Sequence, residues 1–394
     1  MRALQFSRKP ARYAAAMVAS RVRAGAGAAA GPLRLRDIDP PTGPTDEWVT
    51  IRPRLSGICG SDLSTIDGRT SAYFEPIVSF PFVLGHEVVA DVDGPDGTAG
   101  GGGRAVLVPV LHCAIRGVEP PCPSCAAGAI NHCERIAFGH LEPGLQSGFC
   151  ADTGGGWSEA MTAHPDQLVP IPGDLSDEAA VMVEPTACAV HAAAAVDPSA
   201  GPVAIIGAGT LGLLTVAALP RDTDTIVAAR YPHQQRWATE LGADRVVDPS
   251  ALDGAVRLAT GSLKLADRNT PGQLTGGAAT VVDCVGSEAS LTQALQIVAP
   301  GGTILVVGMP ATTTLDLTGL WHRETRLQGV YAYTRADFDT AIDLVADADL
   351  GRLVTATYPL ARYRDAVAHA AEAGRRGAVK IAFDLRPSST ERNH

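Results

Sequence analysis

Lysine is nearly missing from this chain: only Lys9, Lys264 and Lys380 stand among 32 basic side chains. The bias reads as a genomic base-composition effect that carries no chemistry. A basic excess is missing too, since 42 acidic residues outnumber the 32 basic ones and leave a formal charge of -10. That balance repels phosphate backbones and anionic membrane surfaces, so neither nucleic acid nor membrane is an expected partner. Charged residues are only 19% of the chain and hydrophobic ones 46%, too little charge for extended disorder and enough apolar surface for a large core. No long apolar run survives inspection. The longest charge-free one, 203–220, is broken by Gly207, Gly209, Gly212 and two threonines, and reads as strand, turn and helix rather than a membrane span. The N-terminus has arginines and alanines but no uninterrupted apolar core with a cleavage site, so a soluble, cytoplasmic protein is expected. Eight cysteines in 394 residues are too sparse for a disulfide scaffold, yet four crowd between Cys113 and Cys133, which points to metal. No repeat appears at solenoid periods.

The length is that of two domains. Up to about residue 170 the chain consists of short β-rich runs, 48–53, 88–92, 104–110 and 167–171, separated by glycine and proline. These predict an irregular β domain. Two segments, 11–31 and the glycine run 94–103, are expected to be surface loop insertions, the second a tight polar turn. From Pro202 the pattern becomes alternating strands (203–206, 225–229, 245–247, 279–283, 303–307, 326–331) and helices (from Leu211, 234–241, 288–298). Repeated β-α-β with apolar strands predicts a parallel sheet covered on both faces, hence an α/β class with a doubly wound Rossmann domain. The stretch 358–385 returns to short strands around one helix and is expected to rejoin the first domain.

Gly207-Ala208-Gly209-Thr210-Leu211-Gly212 follows a four-residue apolar strand and opens an apolar helix. The first glycine permits a tight turn, the second lets a pyrophosphate approach the backbone, and the third allows close helix-strand packing. The phosphates would sit at the helix N-terminus, where free N–H groups and the dipole favour anions.

Cys59-Gly60-Ser61-Asp62, Gly85-His86-Glu87 and Val183-Glu184-Pro185 offer the mixed thiolate, imidazole and carboxylate set of a catalytic zinc that keeps one position open. Asp62 could hold the non-ligating imidazole N–H of His86. Each residue alone also has an ordinary reading as a core or capping group. A second set is closed: Cys122 and Cys125 are followed by Cys133, with Cys113 upstream of Cys122 across eight intervening residues. Four thiolates would complete a structural zinc tetrahedron. Cys150, Cys188 and Cys284 have no such spacing and are expected to pack as small hydrophobes.

In this order the motifs resemble the zinc-dependent medium-chain dehydrogenase/reductase family, in particular its sorbitol, threonine and glucose dehydrogenase branch. The resemblance runs from Met1-Arg2-Ala3-Leu4 to Gly377-Ala378-Val379-Lys380-Ile381 and includes Asp283-Cys284-Val285-Gly286. It implies a GroES-like catalytic domain over 1–187 completed by 333–394, a Rossmann domain over 188–332, and zinc and nicotinamide held in a cleft between them. Carried over by position, Cys59, His86 and Glu184 are the zinc ligands, Glu87 exchanges against water, and Ser61 passes the substrate proton outward. Ser64 stands where many relatives have a histidine, which breaks the usual outer proton path. The family's first structural ligand falls on Glu119 here; Cys113 is preferred as the softer donor, and Glu119 stays open. Cofactor contacts fall on Gly207, Gly209, Thr210, Leu211, Gly212, Val285, Gly308 and Lys380.

Two zinc ions per chain and hydride exchange between a nicotinamide cofactor and an alcohol or carbonyl substrate are thereby expected. A polyol, a sugar-like or a specialised-metabolite secondary alcohol fits, with Phe74, Phe80, Phe82 and Trp157 as pocket candidates. A homo-oligomer is expected, paired through 303–320. NAD-selective Rossmann enzymes end the second strand on an acidic residue, but counting back from Glu240-Leu241-Gly242-Ala243 puts Ala229 there. Arg230 follows as a donor suited to a 2′-phosphate, with Tyr231 placed to lie against the adenine, so NADP(H) is expected over NAD(H). A metal-independent reductase of the same fold and a non-catalytic nucleotide-binding protein are the alternatives.

Overall fold

A computed structural model describes residues 1–94, 97–267 and 272–387. The chain divides into two compact units, Met1–Glu184 with Tyr333–His394, and Pro185–Ala332. The second is continuous and carries a six-stranded, wholly parallel sheet. Its order is Arg245–Val247, Thr225–Ala228, Val203–Ile206, Ala278–Asp283, Val298–Val306, Arg326–Gly329. Val203–Ile206 is buried at every position, as a central strand covered on both faces must be. Strand order reverses between it and Ala278–Asp283, and ligands of such sheets bind in the crevice at that switch, beyond the strands' carboxyl ends. The α/β, doubly wound class expected from the alternating pattern is the one observed. The helices Leu252–Thr260 and Arg335–Asp347 were not anticipated.

The first unit is built on a seven-stranded sheet ordered Val354–Tyr358, Lys380–Asp384, Val49–Gly57, Val88–Val92, Arg104–Leu107, Leu168–Pro170, with Met161–Ala163 also paired to Val49–Gly57. Pro53 lies inside the long strand, beside a register shift between Pro53 and Leu55. A residue without an N–H is tolerated where the ladder is already irregular. A second, three-stranded sheet joins Leu33–Asp37, Arg2–Phe6 and Phe82–Val83. Phe82 and Trp157 are buried in the core of this unit, and Phe82 stacks on Phe6 at 5.3 Å.

The segment 11–31 is not a loop. It forms the helices Pro10–Val22 and Gly27–Ala30, with Ala16 and Ala28 buried. Alanine is the strongest helix former and proline suits the first helical position, and those preferences outweigh the glycines that suggested a turn. The glycines serve close packing instead. A Cβ on Gly27 would come within 2.0 Å of the Ile66 carbonyl oxygen, and buried Asp67 accepts hydrogen bonds from the N–H groups of Gly25 and Gly27 at 2.9 and 3.1 Å. In the glycine run, Gly97, Gly100 and Gly103 take positive φ, as a tight turn requires; Pro95 and Asp96 lie outside the described residues. No helix among the described residues is long and apolar enough to cross a membrane.

Candidate active site

Cys59 ends the loop after Val49–Gly57 and caps the helix Gly60–Ile66. Its N–H donates to Asp62 Oδ2 at 2.9 Å, the reciprocal half of a capping box that fixes both side chains. The other oxygen of fully buried Asp62 lies 3.5 Å from His86 Nδ1. Neither of those two atoms has a hydrogen-bond partner among the described residues, and the approach of Asp62 to Nδ1 leaves the opposite ring nitrogen of His86 for a ligand. His86 is aimed by Gly85, whose φ is 101° and whose Cβ would meet Trp157 at 2.4 Å. Donor atoms of Cys59, His86 and Glu87 all lie within 4.8 Å of one another.

Charge in this site is concentrated and dry. Burial raises the Asp62 carboxyl to about 6 despite the opposing pull of His86. Burial disfavours the His86 imidazolium, but Asp62 and the Cys59 sulfur outweigh it and hold the ring well above its ordinary value. Burial also lifts Glu184 to about 7, with Glu87 adding to the effect and His86, Tyr333 and Lys380 opposing it. Glu184 therefore shares the electrostatic field of His86 and Glu87, although its oxygens are outside the tight three-residue cluster. Its Oε1 accepts a hydrogen bond from Tyr333 Oη at 3.0 Å. Ser61 lies half-buried in the first turn of the Gly60–Ile66 helix. Ser64, in the same helix, accepts at its carbonyl from the Arg69 N–H at 2.8 Å.

The four sulfurs of Cys113, Cys122, Cys125 and Cys133 also lie within 4.8 Å of one another. Cys113 and Cys133 are 3.7 Å apart, close to the edge of about 3.8 Å that a tetrahedron with Zn–S bonds of about 2.3 Å would have. Burial raises the Cys122 thiol, but hydrogen bonds from the Glu134 and Cys125 N–H groups overcome this and bring it to about 6, while burial holds the neighbouring Cys125 and Cys133 thiols above their ordinary value. Glu119 is exposed and outside the cluster. Arg116 staples the loop that carries Cys113. Fully buried, it donates from Nε to the carbonyl of Leu111 and from its two terminal nitrogens to those of Phe138, Leu141, Glu142 and Gly144.

In the second unit, Gly207 takes φ of 95°, a Cβ on Gly212 would sit 1.8 Å from the Gly207 carbonyl oxygen, and one on Gly209 would meet nothing within 4 Å. Turn, close packing and open approach thus fall on the first, third and second glycines respectively. Thr210 and Leu211 begin the helix Thr210–Ala218. Asp283 braces the opposite side of the switch, accepting from the N–H groups of Val285 and Gly286 at 2.9 and 3.2 Å and from the Ser290 hydroxyl at 2.9 Å. Val285 is exposed, and Gly308 packs so tightly that a Cβ would come within 2.6 Å of the Val285 backbone. Ala229 is buried just past Thr225–Ala228, with its N–H on the Val247 carbonyl at 2.9 Å, and Arg230 is exposed. Tyr231 stacks on His233, ring centres 6.0 Å apart.

The zinc-binding dehydrogenase family model matches residues 210–347, and that of the alcohol dehydrogenase GroES-like domain matches 45–173. The chain belongs to the zinc-type medium-chain dehydrogenase/reductases. It is an NAD(P)-dependent alcohol dehydrogenase. The dehydrogenase is 28% identical to the L-galactonate-5-dehydrogenase of Escherichia coli K12, over 81% of this chain and 86% of that protein. It is 27% identical to the sorbitol dehydrogenase of Bacillus subtilis 168, over 82% of this chain and 86% of that one. A candidate zinc-binding dehydrogenase from Sinorhizobium meliloti 1021, solved bound to NADP, superposes with a TM-score of 0.67 at 26% identity, covering 89% of this chain and 96% of the other.

Four residues of the dehydrogenase make contacts that sequence reasoning did not foresee. Lys380, expected at the cofactor, is buried in the first unit, where its Nζ contacts both carboxylate oxygens of Glu87 and donates to the Ile58 carbonyl at 3.2 Å. Gly57 makes room for that pair, since a Cβ there would lie 1.8 Å from Glu87 Oε2. Phe149, not Phe82 or Trp157, has its ring next to His86, at 5.8 Å. Tyr333 follows the last Rossmann strand and carries no local signal that it would reach Glu184. Only Lys380 advertised itself, as one of three lysines.

Proposed function

We propose that the protein is a zinc-dependent alcohol dehydrogenase that exchanges hydride between NADP(H) and a polyol or sugar-acid-like secondary alcohol. The observation that carries this is the convergence of Cys59, His86 and Glu87 within 4.8 Å of one another, with Asp62 behind the imidazole and Glu184 in the same electrostatic field. A thiolate, an imidazole and a carboxylate with one position left open is the donor chemistry of catalytic zinc, and the unsatisfied Asp62 and His86 atoms fit a ring drawn into place by an ion. Zinc bound there would supply Lewis acidity to the substrate oxygen.

The protein's own groups do the rest. Asp62 fixes the tautomer of His86, Ser61 Oγ takes the alcohol proton outward, and Phe149 walls the site against water. With serine at position 64, the onward path from Ser61 runs through cofactor ribose hydroxyls and solvent. The reading of the substrate class rests on the L-galactonate and sorbitol dehydrogenases named above. A panel of polyols, sugar acids, amino alcohols and simple alcohols, assayed with both cofactors, tests it. Activity confined to simple primary alcohols would contradict it.

The cofactor preference rests on Ala229 and Arg230. No carboxylate ends the second strand. The neighbouring Asp248 follows the adjacent strand, where Ser250 satisfies its Oδ1 through both backbone N–H and hydroxyl at 2.9 and 2.6 Å. An alanine with arginine beside it leaves room and charge for a 2′-phosphate. Catalytic efficiency should favour NADP(H), and Arg230→Ala should erode that preference; a wild type preferring NAD(H) refutes the assignment. A second zinc in the four-cysteine lobe completes the proposal, and elemental analysis should approach two equivalents per chain. The protein is further proposed to be a homo-oligomer, to be read from light scattering.

A further inference from the structure

Glu87, inside the cluster with Cys59 and His86, and Glu184, outside it but within its electrostatic field, are not held alike. Glu87 is gripped by Lys380, whose ammonium touches both carboxylate oxygens inside a buried pair. Glu184 is held through one oxygen only, by a neutral donor, the Tyr333 hydroxyl. A carboxylate already neutralised by an ammonium must break that pair to ligate a cation. One that accepts a single phenolic hydrogen bond keeps its other oxygen for the metal while its rotamer is fixed.

Tyr333 is itself rigidly placed. Its side chain is fully buried and its ring packs on Phe338 at 5.3 Å. The next residue, Thr334, caps the helix Arg335–Asp347 in a reciprocal box with Asp337. The backbone just before it is equally constrained: Ala332 takes φ of 50°, a conformation alanine rarely adopts. Glu184 is the last residue of the first unit before the chain leaves it, and Tyr333 is the first on its return. Their hydrogen bond therefore ties the outgoing and incoming segments of the chain to each other.

We infer that Tyr333 is a positioning residue that orients Glu184 as the carboxylate ligand of the catalytic metal. This rests on the zinc reading of the site given above. It assigns the third ligand to Glu184 and leaves Glu87 as the partner of Lys380, although proximity alone would favour Glu87.

The experiment is competition for zinc between a chromogenic chelator and the full-length, zinc-loaded protein, in wild type, Tyr333→Phe, Glu184→Ala and the double variant. Phenylalanine keeps the ring and its contact with Phe338, and a melting curve checks that the fold is unchanged. Tyr333→Phe should weaken the more labile of the two zinc ions about 10- to 100-fold, the effect typical of removing a partner that orients a ligand. The four-cysteine ion should be untouched. In the Glu184→Ala background the same change should cost zinc affinity nothing further, because the inferred effect on the metal runs through that carboxylate. Affinity within twofold of wild type, or an equal loss in both backgrounds, overturns the inference while leaving the zinc reading intact. If the wild type binds no second zinc that Cys59→Ser removes, both fail together. As an independent readout, Tyr333→Phe should lower kcat more than it raises KM, since it disturbs the metal and not the substrate's own contacts.

Discussion

A single side chain separates a buried ion pair from a buried stray charge at position 380. Taking Lys380 to methionine would leave the Glu87 carboxylate, 1% exposed, without its ammonium, a change of the kind that costs about 3–5 kcal/mol. Lys380→Met should lower the melting temperature, and Glu87→Gln added to it should restore part of the loss; additive losses would show the pair is not coupled. Cysteines divide as sharply. Burial pushes Cys284 to about 12 and also raises Cys150, so both should resist alkylation in the native protein at pH 8. Cys284, neutral in the fold, contributes stability that is complete below its ordinary value of 9.0 and is lost as pH rises toward about 12. Mass spectrometry after brief iodoacetamide treatment checks the resistance. Residues whose role lies in their own motif, such as Cys59, His86 and the three fingerprint glycines, were legible in the sequence. Tyr333 was not, because its role comes from a partner 149 positions away.

At the scale of elements, legibility followed periodicity. Val203–Ile206 and Arg245–Val247 were read to the residue because apolar strands framed by turns have few alternative readings. Pro10–Val22 escapes the sequence pattern because its alanines give a weak amphipathic signal and Gly25, Gly27 and Gly31, which follow it, mimic a loop. That helix pair is an integral part of the first unit, and Gly27→Ala should test this. The added methyl has 2.0 Å to the Ile66 carbonyl, so a loss of about 1–3 kcal/mol is expected, measured by denaturant unfolding; unchanged stability would mean the pair is loosely attached. The cysteine lobe should behave oppositely toward reagents before and after chelation. With zinc present, Cys113, Cys122, Cys125 and Cys133 should be protected from maleimide, and strong chelation should expose all four together. Stepwise exposure would argue against a shared ion. Arg116 gives that lobe a backbone cage of its own, so the fold around it should persist partly after the metal is removed.

For the whole molecule, the sequence announced two architectures, since the change from irregular β runs to β-α-β alternation is visible near Pro202, while the compact units divide at Pro185. It did not announce which distant pieces meet. The strand Lys380–Asp384 lies between Val354–Tyr358 and Val49–Gly57, and nothing in its five residues names that berth. This placement has a consequence during synthesis. Glu87 is made 293 residues before its partner Lys380, so while the chain is still emerging from the ribosome the first unit has neither its inserted strand nor the charge that neutralises its interior carboxylate. Pro185–Ala332 is uninterrupted and can close as soon as it emerges, as domains generally do. Nascent chains arrested just before Lys380 should therefore present a protease-resistant Rossmann unit beside a still digestible N-terminal half. Only when Lys380 has been made does the buried Glu87 carboxylate gain the charge that neutralises it.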